Sequence, residues 1–467
     1  MNAKGFRRAP SSTPSQISDQ RLIRSLSPMD SSSPSEQLLL HHFANEASRV
    51  TSCHPLIQSS FNSILLPMAT SYPPLLSALL TLSLIHRTSL SPPPSSSFNT
   101  DQSLEDSIIG LKAMSITKLR SSLLPSSTSL QDEHHANGIL ATALTLCMCE
   151  IRTGGDIPRS WRLHFEGASA ILSQYATSRS TGQFDPNSTS GLLKRWYDSV
   201  EALAAITSKG LRAGRISSPS LVSSSTMQCD IDMTASEEQA QMPDLAGEQI
   251  FLDDYYGFCT DLVQTFKEIG AAAWERRSLY LSTGPSTSPS ALTHPILSSS
   301  DLDNEAESLE QTVKEMLSRD ATTPPRFYPG IREKLTPDLV REFYKCNEAY
   351  QYTALLYIYR RVQQLDKKDD KVQWCVKNIL SCAGEIRPRN GLSPYIVLVP
   401  PLFAAGQEAF GDDRETVRVR MREFCDILKL KNVRRSLEVL ECGWENGVDL
   451  QGTLLDHSLF NNTLTWF

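Results

Sequence analysis

The chain has 467 residues, 40% apolar and 21% charged, with 52 acidic against 45 basic side chains. A sequence this long outgrows one compact core, which predicts either two subdomains or one extended helical array. Its net charge of −7 excludes attraction to phosphate backbones or anionic membranes by overall field, so such a partner would need a local basic patch.

The opening residues, MNAKGFRRAPSSTPSQ, have basic side chains but no apolar stretch behind them, so no secretory signal is read there and an intracellular protein is expected. Residues 1–32 are rich in Ser and Pro and predict a disordered arm, with one helical region filling 33–467. Order is expected from Ser33-Pro34-Ser35-Glu36, where Ser33 suits the cap, Pro34 the first helical position and Glu36 the capping-box acid. Leu39, Phe43 and Ala47 then share one helix face. After a Ser-Cys-His-Pro turn, Ile57, Phe61, Ile64 and Leu65 align, and Pro73-Pro74 opens a third helix through Leu75, Leu79, Leu82 and Ile85.

A Ser/Pro-rich stretch near 88–102 reads as a disordered insertion, followed by a helix with Leu104, Ile108, Leu111 and Leu119 at helical spacing. Residues Ile139 to Ile151 are apolar nearly all round, the pattern of a central buried helix. Stripes at Trp161, Phe165, Ala168 and Leu172, and at Trp196, Val200 and Leu203, predict two more core helices. Polar segments near 210–247 and 283–300 read as further disordered insertions. Helices are expected over 250–277, 302–319, 336–365, 372–386, 402–410, 414–430 and 433–443, the third of them capped by Thr336 and carrying Leu339, Phe343, Cys346 and Tyr350 on one side. Alternating strand patterns are nearly absent and no fixed-period repeat appears, so the fold class is all-α, a multi-helix array of stacked antiparallel helices.

The chain holds 10 cysteines at irregular spacing, which fits reduced core thiols better than a disulfide framework. Cys147 and Cys149 lie two apart on a helix and so diverge too far to share an ion, while Cys53-His54 fits a packed and capped helix junction. His41-His42 sits in a helix where neighbours point apart, and His134-His135 in a polar loop, so neither is read as a ligand pair. Ser115 and Lys118 match the S-x-x-K pattern of serine acyl enzymes without its companion motifs. Phosphate cradles, the zinc-protease helix and the nucleophile elbow are missing from the sequence. Arg414, Arg418 and Arg422 form a ridge, but acidic neighbours at Asp412, Asp413, Glu415 and Glu423 make it a mixed-charge face. Trp161, His164 and Phe165 would wall a pocket or simply pack. No catalytic, cofactor-binding or metal-ligating residue is assigned, and no cofactor.

Two blocks, SCHPLIQSSFNSILLPMATSYPPLLSALLTLSLIH and ILATALTLCMCEIRTGGDIPRSWRLHFEGASAIL, resemble the front half of the fungal-specific transcription factor domain. Weaker likenesses follow in order at LLKRWYDSVEALAAI, EFYKCNEAYQYTALLYIYRRV and VPPLFAAGQEAFGDDRETVRVRM, then at Trp444. The resemblance implies an all-helical regulatory domain in a nuclear transcriptional regulator of the binuclear zinc-cluster type, often tied to metabolic or secondary-metabolite genes. Members usually carry six cysteines that hold two zinc ions and place a helix in the major groove. Here the first cysteine is Cys53, inside the helical region, so direct DNA binding by this chain is not expected. The partners implied are transcriptional partner proteins or a DNA-bound regulator, with a small-molecule effector as the alternative and no membrane.

Overall fold

The computed structural model describes residues 34–90, 98–123, 132–153, 160–178, 188–206, 250–253, 255–282 and 298–448. The expected arm at 1–32 and the insertion at 210–247 lie outside them.

The apolar stripes of the first half fold into helices α1 (Pro34–His42), α2 (Pro55–Ser71), α3 (Pro73–Leu90), α4 (Phe98–Ser122), α5 (Glu133–Arg152), α6 (Ser160–Ser178) and α7 (Thr189–Ala205). The second half supplies α8 (Thr260–Ser282), α9 (Ser299–Thr322), α10 (Pro337–Tyr357), α11 (Asp370–Gly384), α12 (Val399–Glu408), α13 (Asp412–Leu428) and α14 (Lys431–Glu445). The fold is all-α. The strands among the described residues are two residues each, β1 (Phe251–Leu252) and β2 (Arg326–Phe327), paired in parallel.

Burial follows the spacing of the sequence. Leu39, Phe43 and Ala47 are buried, as are Leu75, Leu79, Leu82 and Ile85 on α3. α5 is buried on every side from Ala136 to Arg152, which makes it the axis around which α3, α6 and α7 pack. One continuous core runs from Leu39 to Trp444, and a small second cluster around Cys53, Leu252, Phe327 and Phe343 backs the strand pair. Helices α10, α11 and α12 form the matching stack in the second half.

Several local expectations are corrected. α3 continues through Leu90 and α4 begins at Phe98, so both ends of the proposed insertion at 88–102 are helical. Ser298 and Asp301 form a reciprocal capping box that starts α9 inside the stretch read as an insertion to 300. Residues 250–253 and 255–259 are a strand and a turn, not the start of α8, and Asp253 accepts from Tyr255 N at 2.6 Å there. Leu104 faces solvent, and Leu339 is only half-buried while its neighbour Val340 is buried. α10 ends at Tyr357 and passes into a π-helical turn, Ile358–Val362, short of residue 365.

A candidate effector cleft

The residues singled out for chemistry divide between core, helix caps and surface, with His41 and His134 exposed. Cys147 and Cys149 are fully buried and their thiols are pushed well above the ordinary cysteine range by that burial. Cys53 donates its S–H to the Tyr255 carbonyl at 3.0 Å, and His54 Nδ1 accepts from Leu56 N at 3.0 Å, capping α2. Burial pushes His54 down to about 4.

His42 Nε2 lies 3.0 Å from His86 Nδ1, so one ring donates and the other accepts. Desolvation, with Arg152 and His42 adding to it, pushes His86 down to about 3. His134 and His135 sit in the first turn of α5 and not in a loop: Asp132 caps that turn by accepting from His134 N. Ser115 and Lys118 both turn to α3: Ser115 donates to the Pro74 carbonyl at 2.8 Å and Lys118 to Ser77 Oγ at 3.3 Å. Arg418 pairs with Glu415 and Glu441, and Arg422 with Glu441, which neutralises the basic ridge. Trp161 and Phe165 pack, with Phe165 stacked on Tyr197 at 4.9 Å. His164 reaches instead to Glu150 at 3.8 Å. Burial alone would raise the Glu150 carboxyl, but His164, Ser160 and Lys112 together hold it at about 2.

Among the described residues there is no group of three metal-ligating side chains, and no helix is long and apolar enough to cross a membrane.

The feature that stands apart is Arg152, one residue beyond the apolar run of α5. Only 6% of it is exposed, yet its guanidinium makes one hydrogen bond, from Nη2 to the Val50 carbonyl at 3.1 Å. Nε and Nη1 are buried without a hydrogen-bond partner among the described residues. Desolvation pushes Arg152 down to about 10, which still leaves it charged at neutral pH. Other buried ions are matched: Arg195 forks onto Asp253 with both distances 2.9 Å, Arg360 meets Glu408 at 2.9 Å, and Arg276 meets Asp303. A buried charge facing one neutral acceptor costs on the order of several kcal/mol.

Arg152 lines a small cleft with about 60 Å³ accessible to the centre of a water molecule, opening to solvent on one side. Its walls come from distant parts of the chain: Val50 and Thr51 from the 3-10 turn after α1, Trp196 and Val200 from α7, Tyr255 and Tyr256 from the turn after β1, Tyr350 from α10, and Pro400 from α12. Among the described residues no carboxylate lines it. The Tyr255, Tyr256 and Tyr350 phenols are raised well above the ordinary tyrosine range by burial, so they stay neutral. Tyr350 is spoken for, donating to the Val397 carbonyl at 2.6 Å. Arg152 also lines a smaller neighbouring crevice shared with His86, whose Nε2 is likewise buried without a hydrogen-bond partner among the described residues.

Sequence reasoning missed this site because the apolar run was closed at Ile151, one position short. The available signal was the pair Glu150 and Arg152 at the end of a helix apolar on all faces, where charged residues are rarely buried unless paired.

Comparison with known families matches the fungal specific transcription factor domain over residues 37–449, and the chain belongs to that family. Its role is that of a transcriptional regulator. Comparisons with curated proteins and with solved structures give no match.

Proposed function

We propose that residues 33–467 form the regulatory domain of a zinc-cluster-type transcriptional regulator that works in the nucleus. It acts through partner proteins or a DNA-bound regulator and controls metabolic or secondary-metabolite genes. No residue is catalytic in this reading and no cofactor or metal is needed. The observation that carries it is the family match across residues 37–449, joined to a fold in which Ser115, Cys53, Cys147, Cys149 and His54 are absorbed into caps and core.

The Arg152 cleft favours a second reading that can coexist with the first: the domain senses a small molecule and shifts between states as that molecule binds. Profiling transcripts after removal of the gene, with the tagged protein followed by microscopy, tests the first reading. A nuclear signal with a coherent set of metabolic genes altered is expected. A cytoplasmic protein with an unchanged transcript profile would contradict it.

A further inference from the structure

Arg152 makes little sense as a structural residue. A charged group held in the interior by one carbonyl destabilises the fold that contains it. Two of its nitrogens, Nε and Nη1, have no acceptor among the described residues, and none of those residues brings a carboxylate to the cleft beside it. A planar guanidinium with unused donors suits a planar two-oxygen anion held by two parallel hydrogen bonds. The rest of the wall, with Trp196, Val200, Tyr255 and Tyr256, offers apolar and aromatic surface and little else.

We propose that Arg152 anchors an organic carboxylate whose body is apolar or aromatic, and that this cleft is the effector site of the domain. The inference rests on the small-molecule reading above and gives it a ligand class. The carboxylate enters beside Val50, completes the hydrogen bonding of Arg152 and sets its body against Trp196 and the tyrosines. Because the cleft joins the turn after α1 and helix α7 to α10 and α12, a ligand there touches both halves of the helical array and biases how they sit together.

The test uses the purified full chain and reads thermal stability and calorimetric binding against benzoate, phenylacetate, 3-phenylpropanoate and octanoate. Each acid is paired with its neutral amide, and inorganic phosphate serves as a bare anion. At least one acid is expected to raise the Tm saturably and to bind about tenfold or more tightly than its amide, the worth of a charge-assisted hydrogen bond. In Arg152→Met the preference for acid over amide disappears, while the ligand-free Tm stays within about 2 °C of wild type or rises. The proposal is overturned if no acid binds, if acids and amides bind alike, if phosphate matches the acids, or if Arg152→Met keeps the preference. A large fall in the ligand-free Tm of Arg152→Met would make the residue structural and overturn it too. None of these outcomes touches the transcriptional reading, which is measured in cells.

Discussion

Arg152 and Arg195 enter the same region from neighbouring helices and meet opposite surroundings. Arg195 has both donors of its fork on Asp253 and rests 4.8 Å over the Tyr328 ring, and Asp253 also accepts from Tyr255 N to hold the turn after β1. Removing that carboxylate breaks the fork on Arg195, takes away the acceptor that holds Tyr255 N, and so loosens the wall of the cleft. Asp253→Ala is therefore expected to cost about 3–5 kcal/mol in urea unfolding, in contrast to the near-neutral outcome for Arg152→Met. Equal stabilities for Asp253→Ala and wild type would show that the pair is not holding this turn. At this scale the sequence reading was right about the bland roles: a helix-junction cap at His54 and core thiols at Cys147 and Cys149 follow from turn chemistry and helical spacing. The sequence could flag Arg152 as a charge at the end of an apolar helix but not its cleft, since the groups around it lie at Val50, Trp196, Tyr255 and Tyr350, and only folding brings them together.

Helix pairs set how closely those walls approach. α8 crosses the end of α7 at Gly270, where a Cβ would fall 2.8 Å from the Ala205 carbonyl carbon, backbone that cannot turn aside. Gly270→Ala is expected to destabilise the fold by about 1–3 kcal/mol. On α6, Gly167 faces solvent with nothing near it, so Gly167→Ala should stabilise by up to about 1 kcal/mol through helix propensity. Thermal unfolding of the two variants checks both signs; the same sign for both would contradict the packing of α7 against α8. Long helices were the legible elements because an apolar stripe repeats several times within each, as on α3 and α5. The strand pair was not, because two residues carry no period, and its partners Phe251 and Arg326 lie far apart in the chain. The capping box at Ser298 and Asp301 was present in the sequence but masked by the serine-rich composition around it.

As a whole molecule the fold buries neutral histidines, and this sets its response to acid. His54 falls to about 4 and His86 to about 3 inside the fold, both from burial, against about 6.5 in an unfolded chain. The unfolded chain takes up these protons first, so their contribution is fully present above pH 6.5 and is lost as the pH falls toward 4. Glu150 and Glu310, held at about 2, add a second loss that starts below their unfolded value near 4.5. Unfolding free energy should thus drop between pH 6.5 and 4.5, before the carboxylates matter. His54→Asn, which keeps a capping side chain without a titrating ring, should flatten that slope by up to about 1.4 kcal/mol per pH unit. A slope unchanged in the variant would mean that His54 is protonated in the fold. The central claim, that this helical array regulates transcription, is tested most directly by joining the full chain to a foreign DNA-binding module and reading a reporter beside that module's site. The account predicts a reporter output clearly above or below that of the module alone. A folded, nuclear fusion that leaves the reporter at the module's own level would contradict it.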